Sequence, residues 1–402
     1  MNQKVKSQLL ELSAAVALEK DRLLDFWLKN SPDKKSGGFI GELTINNQPV
    51  YEADKALILN SRILWSFANA YRLDQKEEYL VMADRAANYL LDNFEDKEYG
   101  GFYWLLDYQG QPQKTKKQIY GQAFCIYAFS EYYRATEKDW ALKKAVELFG
   151  LVENYSYDTE DKGYFEAFAR DWSPLANMSL SPRDLNVAKS MNTHLHILEA
   201  YTNLYRIWPD PDLELKLKEL IEVTLNNIVD QTGYNFNLFF DQDWTIRDNI
   251  VSYGHDIEGS WLIYEAAEIL GDQVSLKLTE EYALKMANQV FKNGRAADGS
   301  LYYELKNGQL DQEKHWWPQA EAVIGFLNAY QLSQQEKFLS AAFASWQFIS
   351  NNLVDQKQGG WFWSVEQAGT ISNQSKINPW KSPYHNSRAC YEVIQRVEKI
   401  LN

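Results

Sequence analysis

The 402-residue sequence predicts an all-α fold, an (α/α)6 barrel of six helical hairpins with an active site at its long-loop end. Three observations predict it. Apolar residues recur at helical spacing over twelve stretches, 3–29, 55–73, 76–95, 118–136, 138–154, 186–207, 212–229, 256–270, 275–293, 315–332, 334–353 and 383–401, with almost no strand. Glycine–aromatic segments recur between them: SGGFIGEL at Gly38, YGGFYWLL at Gly101, KGYFEAF at Gly163, TGYNFNLF at Gly233, DGSLYYEL at Gly299 and GGWFWSV at Gly360, spaced by 63, 62, 70, 66 and 61 residues. The link inside each helix pair is long and carries this segment, whereas the links between pairs, near 74, 137, 209, 273 and 333, are only a few residues. A fixed period of this kind marks a repeat architecture. Antiparallel helices joined alternately by long and short links put every long loop at one end. Six such hairpins can close into one domain over 1–402, and the lack of an obvious polar cap disfavours an open solenoid.

In the first pair, the opening helix carries Glu11 and Glu19 inside its apolar stretch, so it is not a signal-peptide core. Its partner holds Arg62, the sole basic residue of an otherwise apolar stretch, which is expected to face the cavity. The second pair contains FCIYAF around Cys125, a helix core. In the third, MNTHLHILEAY puts Asn192 and His196 on one helical face, while His194 diverges from His196 and is as consistent with a structural role as with support of the site. In the fourth, GHDIEGSW sets His255 three residues before Glu258, close enough to meet, with Asp256 suited to the helix N-terminus and Glu265 structural. The fifth, KHWWPQAEA, has Pro318 in its first turn, where a missing N–H does no harm. Trp316 and Trp317 cannot both pack the same way, and at least one is expected to offer a flat face to a sugar ring. The sixth, NPWKSPYHNSR, supplies Trp380, Tyr384, His385 and Arg388.

All five histidines, 194, 196, 255, 315 and 385, therefore fall at the starts of second helices, at the long-loop mouth. Histidine is the side chain whose ordinary pKa suits proton transfer near neutrality. Lys and Arg total 41 against 55 Asp and Glu, a net charge of -14, which opposes a general attraction to nucleic acid or anionic membranes and fits a neutral small substrate. Only Cys125 and Cys390 are present, and no run of about 18 apolar residues occurs. The expected location is the cytoplasm. CxxC, HExxH, EF-hand, Walker A and GxSxG patterns are missing, so neither a metal nor a nucleotide cofactor is expected.

MNTHLHILEAY, SYGHDIEGSW, HWWPQAEA and NPWKSPYHNSR resemble the cellobiose 2-epimerase branch of the N-acylglucosamine 2-epimerase superfamily, and the resemblance runs from Arg62 to Arg388. RDLNVAKSMNTHLH, with Asp184 near its start, is similar to the same branch. The resemblance implies cofactor-independent inversion at C2 of a reducing-end glucose or mannose unit. By motif it implies that His255 and His385 are the acid–base pair and that His196 serves ring opening. Arg62, Tyr120, Asp184, Asn192, Glu258, Trp317 and Trp380, with Trp316 less securely aligned, are implied to hold the sugar of a reducing disaccharide. The enzyme is expected to be a monomer or weak homo-oligomer. Competing readings are a mannose 2-epimerase or mannose–fructose isomerase, an inverting glycoside hydrolase using Glu258 and Asp184, and a non-catalytic sugar-binding protein.

Overall fold

The computed structural model describes residues 3–182 and 184–402. Among them are twelve α-helices: α1 (Gln3–Asn30), α2 (Leu57–Asp74), α3 (Glu77–Tyr89), α4 (Ile119–Thr136), α5 (Asp139–Tyr155), α6 (Met191–Tyr205), α7 (Pro211–Val223), α8 (Tyr253–Leu270), α9 (Gln273–Gln289), α10 (Trp316–Ser333), α11 (Glu336–Phe348) and α12 (Tyr384–Leu401). The even-numbered helices form an inner ring in chain order, and α12 returns to pack on α2. Each odd-numbered helix lies outside, against an inner one. The fold is the predicted (α/α)6 barrel.

Burial explains which helices are inner. In α4 every residue from Ile119 to Tyr132 is buried, as expected of a helix enclosed on all sides. In α3 the apolar stripe Tyr79, Met82, Ala83, Ala86 and Ala87 recurs at spacings of three and four, so one face is covered and the other is wet. Four outer helices end in a wider π-turn, at Leu90–Phe94, Thr224–Ile228, Val290–Gly294 and Ile349–Leu353, which carries the helical stretch to the limits that periodicity predicts. Four of the five short links turn on one left-handed residue, Gln75, Glu137, Gly271 or Gln334, each donating its N–H to the carbonyl four residues back.

The long loops hold more strand than the sequence predicts. Among the described residues fourteen strands of two or three residues occur there, too short to leave a periodic signal. The strand that ends each of the first five long loops pairs antiparallel with the next loop: Lys55–Ala56 with Leu105–Leu106, Lys117–Gln118 with Ala167–Phe168, Lys189–Ser190 with Phe239–Phe240, Ile250–Ser252 with Glu304–Lys306, and Lys314–His315 with Ser364–Val365. A bridge between Leu43 and Ile377 joins the first and last loops, so the mouth closes as a ring. Pairing at Lys189–Ser190 also explains why α6 starts at Met191 rather than at the predicted 186.

Under this ring a buried lysine–aspartate pair recurs: Lys55–Asp33 at 2.8 Å, Lys117–Asp96 at 2.9 Å, Lys189–Asp158 at 2.8 Å and Lys376–Asp355 at 2.7 Å. Each aspartate also accepts two backbone N–H groups of its own turn, which offsets the cost of burying the charge. The following glycine is obligatory in the third repeat. Gly163 has φ +77, and a Cβ there would lie 2.5 Å from the Trp244 ring and 2.6 Å from His194 Nε2.

Candidate active site

Three positions of each inner helix, the second, sixth and ninth, lie at the i, i+4, i+7 spacing of one face. They hold Tyr120, Phe124 and Tyr127 on α4, Asn192, His196 and Glu199 on α6, and Trp317 and Glu321 on α10. Arg62 and Trp65 of α2, Glu258 and Trp261 of α8, and His385 of α12 occupy matching positions. The fourth position does another job. Gln122, His194, Asp256 and Gln319 each accept the backbone N–H that follows the turn of the preceding loop, from Phe102, Tyr164, Phe236 and Leu301 at 2.7–2.9 Å. His194 is thus the third-repeat version of a loop clamp, with its Nδ1 2.7 Å from the Ser190 carbonyl. Asp256 holds the preceding loop instead of its own helix terminus.

The three lumenal histidines are also anchored through Nδ1. His196 Nδ1 lies 3.0 Å from Glu199 Oε2, His385 Nδ1 lies 2.7 Å from Glu321 Oε1, and His255 Nδ1 lies 2.7 Å from Ser252 Oγ. His255 and His385 come from different helices yet both rest on the Trp317 indole, at ring-centroid distances of 4.6 and 5.6 Å. Burial, reinforced by the Arg62 charge, pushes His255 down to about 3. Burial, with Arg62 and Arg388 nearby, holds His385 well below the usual histidine range. Both are neutral imidazoles at neutral pH, hence available as bases.

Glu258, expected beside His255, is drawn the other way. Its Oε1 accepts from Arg388 Nη2 and lies 3.9 Å from His385 Nδ1. Arg388 Nη2 also donates to Glu321 Oε1 at 2.7 Å, while Arg388 Nη1 bonds Glu199 and the Tyr384 hydroxyl, which itself donates to Glu199. Burial and the neighbouring Glu321 charge lift Glu258 to about 7 against the pull of Arg388. Burial likewise raises Glu321. Glu258, Glu321 and His385 are close enough to one another to suggest a cation site, but the Arg388 guanidinium already bridges the two carboxylates.

Arg62 donates to the Tyr120 hydroxyl at 2.7 Å and the Trp380 carbonyl at 3.2 Å, and lies over the Phe124 ring at 4.3 Å. Trp380 tilts against Tyr120 and Trp104, extending an aromatic wall outward. Asp184 and Asn192 line a cavity of about 430 Å³ at the mouth together with His255. Asn192 Oδ1 is buried there without a protein partner, and Ser181 Oγ donates to Asp184 at 2.5 Å. Trp316 is separated from its neighbour Trp317: it is buried against Trp363 at 4.3 Å with Lys381 Nζ over its ring, as their adjacency on one helix requires. His315 stacks on Tyr303 at 4.0 Å in the loop ring. The structure therefore gathers Arg62, Tyr120, Asn192, His196, His255, Glu258, Trp317, Trp380 and His385 at one mouth, and Asp184 on its rim.

Sequence reasoning missed Glu199, Glu321 and the bridging role of Arg388. Glu199 is three residues beyond His196, a spacing that signals a helical pair. Nothing local links Glu321 to His385, 64 residues away.

Fold and lumen together define a carbohydrate epimerase or isomerase. The chain belongs to the N-acylglucosamine 2-epimerase family, whose model matches residues 38–389. It is 45% identical over 376 residues to a cellobiose 2-epimerase of Bacteroides fragilis, covering 93% of this chain and 96% of that protein. The solved cellobiose 2-epimerase of Bacillus thermoamylovorans superposes with a TM-score of 0.92 at 38% identity, over 96% of this chain and 99% of that one. A D-mannose isomerase of Marinomonas mediterranea is 22% identical over 398 residues, covering 93% of this chain and 95% of that protein.

Proposed function

We propose that the enzyme inverts C2 of the reducing-end glucose or mannose unit of a β-linked disaccharide such as cellobiose or lactose, without a cofactor. The observation that carries this reading is the convergence of two neutral histidines from different inner helices on one indole, His255 and His385 on Trp317. The C2 proton is acidic only beside an open-chain aldehyde, so ring opening, assigned to His196, comes first. One histidine then takes the C2 proton to give an enediolate, whose charge faces Arg62. Rotation about C2–C3 presents the other face, and the second histidine returns a proton.

The two histidines differ in what stands behind them. His255 leans on a hydroxyl, which stores no proton at neutral pH. His385 leans on Glu321 with Glu258 close by, and both carboxyls are raised by burial. That cluster can hold the extra proton an acid needs, so His385 takes the donor role in the direction in which His255 is the base. Microscopic reversibility exchanges the roles in reverse.

Trp317 and the Trp380–Tyr120–Trp104 wall give flat faces for a reactive sugar and one beyond it. Separate incubation with cellobiose, lactose, mannose and glucose in deuterated water tests the assignment. The expected result is faster turnover of the disaccharides, with one deuterium at C2 of the product. Preference for mannose with a ketose product would identify a monosaccharide isomerase, and product free of deuterium would exclude the enediolate route. Release of glucose from cellobiose would point to hydrolysis.

A further inference from the structure

We propose that Glu199 is a positioning residue for ring opening, holding His196 with its proton on Nδ1 so that the Nε2 lone pair faces the anomeric hydroxyl of the sugar. The inference rests on the epimerase reading above and adds to it a residue and a tautomer. Glu199 is buried beneath the lumen, with Oε2 on His196 Nδ1 and Oε1 taken by the Tyr384 hydroxyl and Arg388 Nη1. Both oxygens are thus committed, and the carboxylate cannot turn away without breaking a charged contact.

Burial alone would raise the Glu199 pKa, yet Arg388, with His196 and Tyr384, outweighs it and keeps the carboxylate ionised. An ionised carboxylate only accepts hydrogen bonds, so Nδ1 of His196 has to donate and a neutral ring carries its lone pair on Nε2. The ring plane is fixed as well, edge-on to Tyr120 at 5.0 Å and against Phe124 at 4.8 Å. Nε2 has no hydrogen-bond partner among the described residues.

In the step so assisted, the proton on O1 passes to His196 Nε2 as the C1–O5 bond breaks and C1–O1 becomes the aldehyde. The electron pair left on O5 takes a proton from a water at the mouth, and the imidazolium returns its proton to the hydroxide formed. Glu199 stabilises the transient imidazolium without itself touching the sugar.

The test compares Glu199→Gln with the unaltered enzyme on two sugars, cellobiose and 4,5,6-tri-O-methylglucose, which cannot close to a furanose, pyranose or septanose. Deuterium exchange at C2 is the readout for both. A loss in kcat/KM of about 100-fold for cellobiose, with a loss at least tenfold smaller for the ring-blocked sugar, is expected of a general acid–base group disabled only in ring opening. Because loss of a buried carboxylate can impair folding, ¹⁵N-histidine spectra of the unaltered enzyme give an independent reading. His196, assigned by its disappearance in His196→Gln, should carry its proton on Nδ1. Equal loss with both sugars, no loss with either, or a proton on Nε2 would overturn the proposal while leaving the epimerase reading standing. Absence of exchange by the unaltered enzyme with either sugar would instead remove that reading.

Discussion

The two ends of the barrel lumen are built from the same six inner helices and behave in opposite ways. At the far end, where these helices finish, a cavity of about 340 Å³ is lined by many charged side chains, several of them paired with each other, and reaches Glu199 and Arg388. Arg72 and Arg134 both hold Glu131, at 2.6 and 2.7 Å, and keep it below the usual carboxylate range, whereas Glu265, paired with Arg206 at 2.7 Å, is still raised by burial. Arginines in the last helical turn also complement the negative end of the helix dipole. At the mouth, His255 and His385 sit among aromatic rings, backed by a hydroxyl and by carboxyls that burial has raised. Ionisable groups whose charged forms are matched are inert; those left under-compensated in a desolvated lumen can move protons.

Replacing His255 or His385 by Asn tests the mouth most severely. Each variant should lose C2 exchange by about 10³-fold or more, the range of a general acid–base group, and the loss is measured by deuterium incorporation. Near-normal turnover by either would end the two-histidine scheme. A finer test concerns pH. Because His255 stays neutral down to about 3 and Glu258 is raised to about 7, the alkaline limb of kcat/KM near pH 7 belongs to the carboxyl cluster. Activity should fall as the pH rises through that region, because ionisation of Glu258 removes the proton that the cluster supplies to His385. In Glu258→Gln the residual rate should keep no limb there, and a limb at its original position would assign it to a histidine.

The far end predicts the reverse pattern, stability without chemistry. Glu131 is buried, and although burial raises its pKa, Arg134 and Arg72 win and hold it below the usual value. A carboxyl lowered in the folded state contributes stability above its unfolded pKa and loses it as the pH falls. Glu131→Gln should therefore cost about 1–3 kcal/mol at pH 7, the range for leaving buried partners unsatisfied. The gap to the unaltered protein should narrow below about pH 4, and kcat should stay within about threefold. Urea melts at pH 7 and 3.5 beside turnover measure this; a large fall in kcat with native stability would mean that the far end takes part in the chemistry.

How much of this contrast was legible in the sequence depends on distance along the chain. The glycine–aromatic period and the alternation of link lengths gave the barrel, and helical spacing placed His196 beside Asn192. Arg388 with Glu199 and Glu258 was not legible, because these residues lie on three helices and meet only when the ring closes. Glu258 looked like the partner of His255 on spacing, but a guanidinium from α12 outcompetes a neutral imidazole for a buried carboxylate. The lysine–aspartate pairs escaped for another reason: each is interrupted by a loop of variable length, and the pattern fails in the fourth repeat, where Asp230 is kept but Val251 stands in the lysine's place, and in the fifth, where Ala296 stands in the aspartate's place and Lys314 lies over Tyr302.

The smallest predicted effect is the sharpest test of the comparison, since it concerns two histidines on one helix. His194 and His196 are both buried and sit two residues apart, yet only His196 occupies the lumenal face. In the second and fifth repeats the position of His194 is a glutamine, and Gln122 and Gln319 clamp both the N–H and the carbonyl of the loop residue they face, at 2.7–2.9 Å. His194→Gln therefore supplies the side chain that the architecture already uses in this role. Burial holds His194 at about 4, so the histidine costs stability as the pH falls from about 6.5 toward 4, when the unfolded chain takes up a proton that the folded one refuses. Glutamine has no such penalty. His194→Gln should leave kcat/KM within about twofold, shift Tm by no more than a few degrees at pH 7, and make the protein relatively more stable at pH 5. A loss of activity comparable to that of His196→Gln would show that the loop clamp and the lumen are not separable.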